Sequence, residues 1–517
     1  MNIGESSQFK INDYITLKLE NGKTYIYIAG ERFTQCKFLL INIETEEINS
    51  LEKLKSIDQI ADKLDDRLEA NESAHKKFQI SPEVEFWGHC SNLQVWVEND
   101  YDTNLLDKRL AFPLLSVLAE IGDPKARKVF KEEITKRIQN KYLPVVEYLK
   151  HMGYISYLSE EEQELAFSDY DKVIVNGKKI PVIGFGLNLS RKKISSIKEI
   201  KGLAKCTYLR ELDLSHNKLN KIEGLETLRN LTILRINNNK ILNIEGLNTL
   251  KNLKKLSLQR NNISKIEGLE QLSNLKELNL ERNNISKIEG LENLKTLKKL
   301  DLSGNEIMEL EGLKNLPTLK KLDLSGNEIT QIKGLEDLIM LKELFLKINK
   351  IKKIENLKSL KELKRLSLSS NQIKKIEGLN NLSNLIILSL RANRIRRIEN
   401  LKKLTQLDDL QLEHNKIRKI ENINTLKNLK SLDVSHNKIT KIQGLENLTS
   451  LESLDISNNS INCLEGLENL KNLRILFMYH TKVPLELIEK LGGITSSGRV
   501  NKPKLFVNYC FNKKSEK

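Results

Sequence analysis

The sequence predicts an α/β solenoid, a stack of repeats that forms a parallel β-sheet, preceded by a small α+β module and a helical module. Two adjacent segments, residues 258–280 and 280–302, are nearly identical and are offset by 22 residues. Self-similarity at a period of roughly 20 to 50 residues is typical of solenoids. The same period places one asparagine in each of twelve repeats, at positions 217, 239, 261, 283, 305, 327, 349, 371, 393, 415, 437 and 459.

Each repeat follows the pattern LxxLxLxxNxIxxIEGLxxLxx, in which the LxL segment predicts a short strand. Side chains alternate across a strand, so we expect Leu344 and Leu346 to point inward and Phe345 to point outward. Asparagine suits the turn after the strand because its amide group both donates and accepts hydrogen bonds. It can pair backbone groups of adjacent turns that burial would leave unsatisfied. We therefore expect the twelve asparagines to be structural.

The first of four predicted domains, residues 1–78, is a small α+β module. Apolar and polar residues alternate in ITLKLE and in KTYIYI, and the Asn21-Gly22 pair between them is typical of a tight hairpin turn. A third strand is predicted at residues 33–43, where the sequence reads FTQCKFLLINI. The helical spacing of IDQIADKLDDRLEA predicts a helix at residues 57–70.

The second predicted domain, residues 79–171, is mainly helical. Helical spacing runs from ISPEVEFWGHCSNLQVWV to about Phe167. Within it, the segment LAEIGDPKARKVFKEEI resembles the paired helices of HEAT-type repeats. We interpret these residues as packed helices that precede the solenoid.

The solenoid itself is predicted to span residues 172–482, and a C-terminal cap is predicted at residues 483–517. A second Asn-Gly pair, in KVIVNGKKIPVIG, predicts a hairpin that covers the exposed first end of the stack. The first and last copies are irregular, with Lys192 and Thr481 at the asparagine position. Terminal repeats commonly depart from the consensus because each has a neighbour on one side only.

The repeat resembles a known family. Residues 283–302 read NNISKIEGLENLKTLKKLDL, and this pattern is similar to the 22-residue leucine-rich repeats of the protein phosphatase-1 regulatory subunit and, more loosely, of internalins. The resemblance covers residues 187–482, whereas the first 180 or so residues have no counterpart in the phosphatase subunit. It implies a curved, right-handed leucine-rich-repeat horseshoe with a parallel β-sheet on its concave face, short turns on its convex face and no catalysis of its own.

The charge of the chain is unevenly distributed. Residues 1–180 contain 24 Lys and Arg against 31 Asp and Glu, which gives a formal charge of −7. The whole chain has a formal charge of +16, so residues 181–517 carry +23. Such asymmetry predicts that the solenoid attracts anionic partners.

The five cysteines are scattered and show no CxxC spacing, so neither a disulfide framework nor a zinc site is indicated. Without a signal peptide or a membrane span in the sequence, we expect a cytoplasmic protein.

Three motifs could carry chemistry, and each has a structural interpretation. GGITSSGRV at residues 492–500 has the glycines of a phosphate-binding loop, but Arg499 and Val500 replace its Lys and Ser/Thr, so we expect a capping turn. His414 and His436 occupy one position in adjacent repeats and could hold a metal, but surface polarity is the better explanation. A tryptophan cluster, defined as Trp87, His89, Cys90 and Trp96, is expected to be a structural core. We therefore expect no catalytic residues, metal or cofactor.

Function is expected where the repeats differ, since the constant positions maintain the fold. Outward positions of three neighbouring repeats carry aromatic, aliphatic and arginine residues around the smaller Ser367, Ser370 and Ala392. This composition is typical of an interface. The predicted partner-binding residues on the concave face are Phe345, Ile348, Arg365, Ile387 and Arg391.

A second predicted feature is a basic stripe just past the strands of four successive repeats. Residues 341–420 hold 20 Lys and Arg against 8 Asp and Glu. A solvated charged edge is the simplest interpretation, but aligned cation pairs would form one continuous surface. The basic stripe consists of Lys352, Lys353, Lys374, Lys375, Arg396, Arg397, Arg418 and Lys419.

Three hypotheses of function follow. The leading one is a non-enzymatic scaffold or adaptor, expected to be a monomer, that binds a protein with an acidic surface. The alternative is nucleic-acid or anionic-lipid binding through the basic stripe, although this stripe lacks the aromatic residues that single-stranded nucleic acid uses for stacking. The third is an enzyme in the N-terminal region, for which Cys90 is the candidate nucleophile.

Overall fold

The protein is described by a computed structural model, which covers residues 7–34, 81–106 and 108–515. The chain divides into two compact units, Met1–Tyr170 and Asp171–Lys517. The third strand and the helix predicted at residues 33–43 and 57–70 lie outside the described residues, apart from the first two positions of the strand.

The first unit begins with an antiparallel sheet of strands β1 (Gln8–Lys10), β2 (Ile15–Glu20), β3 (Lys23–Ile28) and β4 (Glu31–Arg32). Glu20 pairs with Lys23, and the two residues between them, Asn21 and Gly22, have φ angles of 52° and 72°. Two consecutive left-handed residues match the right-handed twist of the flanking strands, which is why Asn-Gly is favoured in this turn. The predicted hairpin is confirmed.

Five α-helices follow among the residues of the first unit that the structure describes. They are α1 (Pro82–Glu98), α2 (Lys108–Glu120), α3 (Pro124–Gln139), α4 (Leu143–His151) and α5 (Glu160–Ala166). Ser81 caps α1, and Asp123 caps α3 by accepting from the backbone N–H groups of Lys125 and Ala126. Such caps pair the N–H groups that the first turn of a helix leaves free. The predicted helical region is therefore confirmed.

The second unit contains a hairpin and a long parallel sheet. The hairpin strands are β5 (Lys172–Val175) and β6 (Lys178–Pro181). The fourteen strands of the parallel sheet are β7 (Gly186–Asn188), β8 (Glu211–Asp213), β9 (Ile233–Arg235), β10 (Lys255–Ser257), β11 (Glu277–Asn279), β12 (Lys299–Asp301), β13 (Lys321–Asp323), β14 (Glu343–Phe345), β15 (Arg365–Ser367), β16 (Ile387–Ser389), β17 (Asp409–Gln411), β18 (Ser431–Asp433), β19 (Ser453–Asp455) and β20 (Ile475–Phe477). Their spatial order follows their order in the chain.

The sheet is in register, so equivalent residues of successive repeats are neighbours. Leu344 pairs with Leu322 on one side and with Leu366 on the other. The leucines and isoleucines of the pattern form one continuous core in which nearly every side chain is fully buried. A repeat cannot bury its apolar side chains alone, so stacking supplies both the sheet and the core.

The asparagines pair backbone groups of adjacent turns, as predicted. Oδ1 of Asn349 accepts from the backbone N–H of Ile329 at 3.0 Å. Its Nδ2 donates to the carbonyl oxygens of Leu324 at 3.0 Å and Leu346 at 3.2 Å. One buried amide therefore links two repeats, and the same set of bonds recurs along the stack.

Both ends of the solenoid are covered. At the first end, Val173 and Val175 of the hairpin join the core, and Ile174 forms a bridge with Lys201. At the last end, Phe477 of β20 forms an antiparallel bridge with Arg499. Helices α6 (Leu485–Lys490) and α7 (Pro503–Ser515) complete the cap. The segment at residues 492–500 is thus a capping turn, as predicted, and no helix in the described part of the chain combines the length and apolar character needed to cross a bilayer.

Candidate partner-binding face

The candidate site lies on the outward side of the parallel sheet, which we call the sheet face. In-register pairing aligns equivalent side chains in rows that run across the strands. One row contains Phe345, Ser367 and Ser389, on β14, β15 and β16. Because strands lie about 4.8 Å apart, each side chain contacts mainly its immediate neighbours. The chemistry at any point is therefore set by two or three adjacent repeats.

Three serines form the floor of a depression on this face, which we call the serine depression. Ser367, Ser369 and Ser389 point outward but are 7–8% exposed, since larger side chains surround them. Oγ of Ser369 lies 2.7 Å from Oγ of Ser389 and 3.4 Å from Oγ of Ser367. The register places Phe345, Lys347, Arg365, Ile387, Arg391 and Gln411 around this floor.

Phe345 forms one wall of the serine depression. It is partly exposed, whereas Leu344 and Leu346 on either side are fully buried, so the predicted alternation is confirmed. Nζ of Lys321 lies 5.3 Å from the centroid of the Phe345 ring, and Nζ of Lys347 lies 5.7 Å from it. Cations at this distance are attracted by the negative face of the ring. The wall is therefore aromatic and also positively charged.

Ile348 lies at the turn that follows β14 and is 65% exposed. Its φ angle is 54°, in the left-handed region. A β-branched residue is an outlier there, because its branched Cβ crowds the backbone. Two other repeats place Gly304 and Gly326 at this position, with φ angles of 67°. The chain thus keeps an apolar side chain exposed where glycine would relieve strain.

Arg365 and Ile387 are register partners at the start of β15 and β16. Ile387 lies two strands away from Phe345 across the sheet and two residues away along the strand direction. Together these offsets separate the two residues by roughly 12 Å. The predicted apolar residues therefore surround the serine depression instead of contacting one another. Arg365 makes no ion pair with any residue that the structure describes, whereas Nε of Arg391 lies 3.4 Å from Oε1 of Glu413.

The sheet face becomes acidic beyond Arg391. Glu413 is 7% exposed, and its Oε2 has no hydrogen-bond partner. Burial and the nearby charge of Asp433 raise the pKa of Glu413 to about 7, although Arg391 opposes this shift. Burial also raises the pKa of Asp409 and of Asp455. The two halves of the face therefore differ in charge: cations surround the serine depression, and carboxyl groups follow it.

His414 and His436 lie beside these carboxyl groups. Their rings are stacked with centroids 4.0 Å apart and planes 13° apart. Nδ2 of Asn458 donates to Nε2 of His436 at 3.1 Å. Among residues 7–34, 81–106 and 108–515, no group of three His, Cys, Asp or Glu side chains is placed to hold a metal ion. The stack is an extension of the polar surface.

The eight residues of the basic stripe are all exposed, at the edge of the solenoid that follows the strands. Arg397 is the member with an ion pair in the described structure, to Glu421 at 3.6 Å. The stripe therefore leaves most of its charge available to a ligand.

The tryptophan cluster lies on α1 of the first unit. Trp96 and Cys90 are buried as expected, and burial raises the pKa of the Cys90 thiol to about 11. Burial lowers the pKa of His89, whose Nε2 lies 3.3 Å from Oε1 of Glu85. Trp87 was expected in the core but is 53% exposed, because helical spacing turns it away from the buried face. A thiol this basic is a poor nucleophile near neutral pH.

Four residues of the face were not singled out from the sequence: Lys347, Ser369, Ser389 and Glu413. The two serines could have been identified from the sequence, because three small residues at outward positions of adjacent repeats leave a space that larger neighbours enclose. The burial of Glu413 carries no such signal, since it depends on how Arg391 folds across the neighbouring strand.

Comparison with protein families and solved structures agrees with this architecture. A family model described as leucine-rich repeats in two copies matches residues 207–249, 251–293, 295–337, 339–381, 405–447 and 427–469. No curated protein matches the chain.

Several solved structures resemble the solenoid. An internalin from Listeria monocytogenes is 30% identical, with 58% of this chain and 82% of the internalin covered and a TM-score of 0.49. A leucine-rich-repeat protein from Leptospira interrogans is 27% identical, with coverage of 59% and 92% and a TM-score of 0.45. TLR13 in its complex with ssRNA13 is 26% identical, with coverage of 55% and 45% and a TM-score of 0.50. These three structures give no support to the closer resemblance to the phosphatase-1 regulatory subunit, which stays a prediction.

Proposed function

Since the chain belongs to the leucine-rich-repeat family, we propose that it is a non-enzymatic scaffold or adaptor that binds a partner protein on its sheet face. The observation that carries this proposal is the serine depression. Small hydroxyl side chains are enclosed there by Phe345, Ile387 and Arg365 in three adjacent repeats. Aromatic and arginine residues around a recess are the usual composition of an interface centre.

The partner that fits this recess has an acidic surface. Arg365 is free to pair with a carboxylate, and Lys347 and Lys321 already flank the Phe345 ring. A carboxylate near the serine floor could accept hydrogen bonds from the hydroxyls of Ser367 and Ser389 while it is paired with a guanidinium. Charge-assisted hydrogen bonds of this kind are about twice as strong as neutral ones.

The proposal also includes the class of partner, the location of the protein and its oligomeric state. The resemblance of the repeats to the phosphatase-1 regulatory subunit makes a phosphatase one candidate partner. A cytoplasmic location fits the four described cysteines, which are free thiols: Cys90, Cys206, Cys463 and Cys510. Both covered ends of the solenoid fit a monomer, since capped ends do not stack on another copy.

The proposal is tested by comparing captured proteins between variants. The full chain, a Phe345→Ala/Arg365→Ala variant and a Lys295→Ala control would each be used to capture proteins from the native cell. Lys295 is exposed on a turn away from the sheet, so its substitution leaves the sheet face intact. A genuine partner is retained by the control and lost from the double variant. Proteins captured equally by all three forms would contradict binding at the serine depression.

A second candidate function is nucleic-acid or anionic-lipid binding through the basic stripe. Its support is the uncompensated charge of the stripe and the likeness to TLR13, whose structure contains ssRNA13. Binding that depends on phosphates weakens steeply with salt, because counterions are released. Titration of single-stranded RNA and of anionic vesicles at two salt concentrations tests this candidate. Binding that persists in the Phe345→Ala/Arg365→Ala variant and disappears at high salt would favour the stripe.

A further inference from the structure

An open cavity, which we call the basic cavity, lies along the basic stripe. Its volume is about 480 Å³, within the usual range for small-molecule sites. Three register positions of three successive repeats supply its cations: Lys374, Lys375, Arg394, Arg396, Arg397 and Lys416. Since repeats are stacked about 5 Å apart, these groups converge from three turns of the solenoid onto one space.

The charge inside the basic cavity is not balanced by protein groups. Glu399 is the acidic residue that lines it, and Arg397 is paired with Glu421. Within the described part of the chain, the other five cations make no ion pair. Like charges held this close repel one another, and a bound anion would relieve that repulsion. The cavity therefore favours a ligand with several negative charges.

The same edge of earlier repeats lacks this property. The residues equivalent to Lys374 and Lys375 are Ser264 and Lys265 in one repeat and Met308 and Glu309 in another. Lys350, which is equivalent to Arg394 and Lys416 in its own repeat, is paired with Glu328. Two adjacent cations therefore occupy these positions in four successive repeats, three of which line the basic cavity.

The lining also restricts the chemistry of the ligand. Arginine presents a planar fork that pairs with two phosphate oxygens, and lysine supplies a mobile point charge. No aromatic residue lines the cavity, so stacking of a nucleic-acid base is not provided. The alkyl stems of the same side chains form its walls.

We propose that the basic cavity binds a compact polyphosphate, a small molecule or headgroup that carries at least two phosphate groups. This site is separate from the serine depression, and it does not depend on the proposed protein partner. Recognition comes from charge-assisted hydrogen bonds to phosphate oxygens, with Arg394 and Arg396 as the bidentate donors and the lysines as neutralising charges. Binding of such a ligand would also reduce the positive charge of the stripe.

The test is calorimetric titration of the full chain with inositol hexakisphosphate and with pyrophosphate, at physiological salt and with sulfate as the reference anion. We expect binding of both phosphates and at least about tenfold weaker binding by a Lys374→Glu/Arg396→Glu variant, because reversal removes two cations and adds two anions. A Lys265→Glu/Lys287→Glu variant is the matched control, since it makes the same charge change at exposed positions of two earlier repeats, equivalent to Lys375 and Arg397. Thermal unfolding checks that both variants remain folded, and Lys374→Gln/Arg396→Gln provides a milder second variant.

The control and the competitors decide the outcome. Equal losses in the two reversed variants would overturn the proposal, because they would show diffuse attraction to net charge. Sulfate binding as tight as that of inositol hexakisphosphate would overturn it as well. Vesicles that contain phosphatidylinositol 4,5-bisphosphate are compared with phosphatidylserine vesicles of equal charge to identify the source of the phosphate groups. If the chain prefers the phosphatidylinositol 4,5-bisphosphate vesicles and inositol hexakisphosphate displaces it from them, the ligand is a lipid headgroup. If the chain binds soluble inositol hexakisphosphate but shows no preference between the vesicles, the ligand is a free polyphosphate. If inositol hexakisphosphate does not bind but single-stranded RNA does, the proposal is overturned and the cavity is part of a nucleic-acid-binding surface.

Discussion

Nε of Arg391 lies 3.4 Å from Oε1 of Glu413, and this ion pair joins the cationic half of the sheet face to its acidic half. The two residues lie two positions past the ends of adjacent strands, β16 and β17, at equivalent positions of their repeats. Arg391 is 55% exposed at its side chain, whereas that of Glu413 is 10% exposed. The pair therefore places a buried carboxyl group beneath an arginine that a partner can still reach.

We expect Glu413 to make stability depend on pH. Its pKa of about 7 in the folded chain exceeds the ordinary value of 4.5, because of burial and the charges of Asp433 and Asp409, with Arg391 opposing them. The folded state then binds more protons than the unfolded state between these values, so stability falls as pH rises from about 4.5 to about 7. Glu413→Gln should therefore stabilise the chain at pH 8 by roughly 1 to 3 kcal/mol, with little effect at pH 4.5.

Chemical denaturation of both forms at several pH values measures this effect. The difference between wild type and variant is the relevant quantity, since Asp409 and Asp455 also have raised pKa values and remain in both forms. A difference that does not change between pH 4.5 and pH 8 would show that Glu413 is ionised normally.

Binding and stability should separate at the serine depression. Phe345→Ala and Arg365→Ala remove outward side chains, so each should change the free energy of unfolding by less than about 1 kcal/mol. The same changes should weaken binding of a purified partner by about 1 to 3 kcal/mol. Dissociation constants and unfolding midpoints are measured for each variant, with Glu292→Ala and Lys295→Ala as controls on the opposite side. Comparable losses of affinity in the controls would count against the sheet face.

Ile348 offers a test of strain retained for binding. Ile348→Gly removes an unfavourable left-handed φ angle of 54°, which costs about 1 kcal/mol or more, but glycine also gains freedom in the unfolded chain. We expect stability to stay within about 1 kcal/mol of wild type while partner affinity falls. Ser370→Gly, at the same position of the next repeat, is the matched control for the backbone effect. Unchanged affinity in Ile348→Gly would leave the exposed isoleucine without a binding role.

Interior positions should behave in the opposite way. Asn349→Ala removes an amide that pairs backbone groups of two repeats, and the loss should be about 1 to 3 kcal/mol. Leu346→Ala leaves a cavity in a fully buried position and should cost about 2 to 5 kcal/mol. Denaturant titration measures both losses. If neither variant shifted the unfolding midpoint, the assignment of these side chains to the interior would be wrong.

The sequence by itself determined the repeating architecture of this protein. The 22-residue period, the inward leucines such as Leu344 and the asparagine turns are local features, and in-register stacking repeats each of them along the chain. The two Asn-Gly hairpins were predictable for the same reason, because a left-handed turn restricts the residue types that can form it.

The tertiary structure alone decided how the variable side chains combine. The serine depression, the pairing of Arg391 with Glu413 and the basic cavity each join residues about 22 positions apart. The repeat brings such residues within about 5 Å, but the direction of each long side chain depends on the size and charge of its neighbours. For this reason the sequence indicated which side chains point outward, whereas the enclosed serines and the buried carboxyl group of Glu413 became visible only in the packed solenoid.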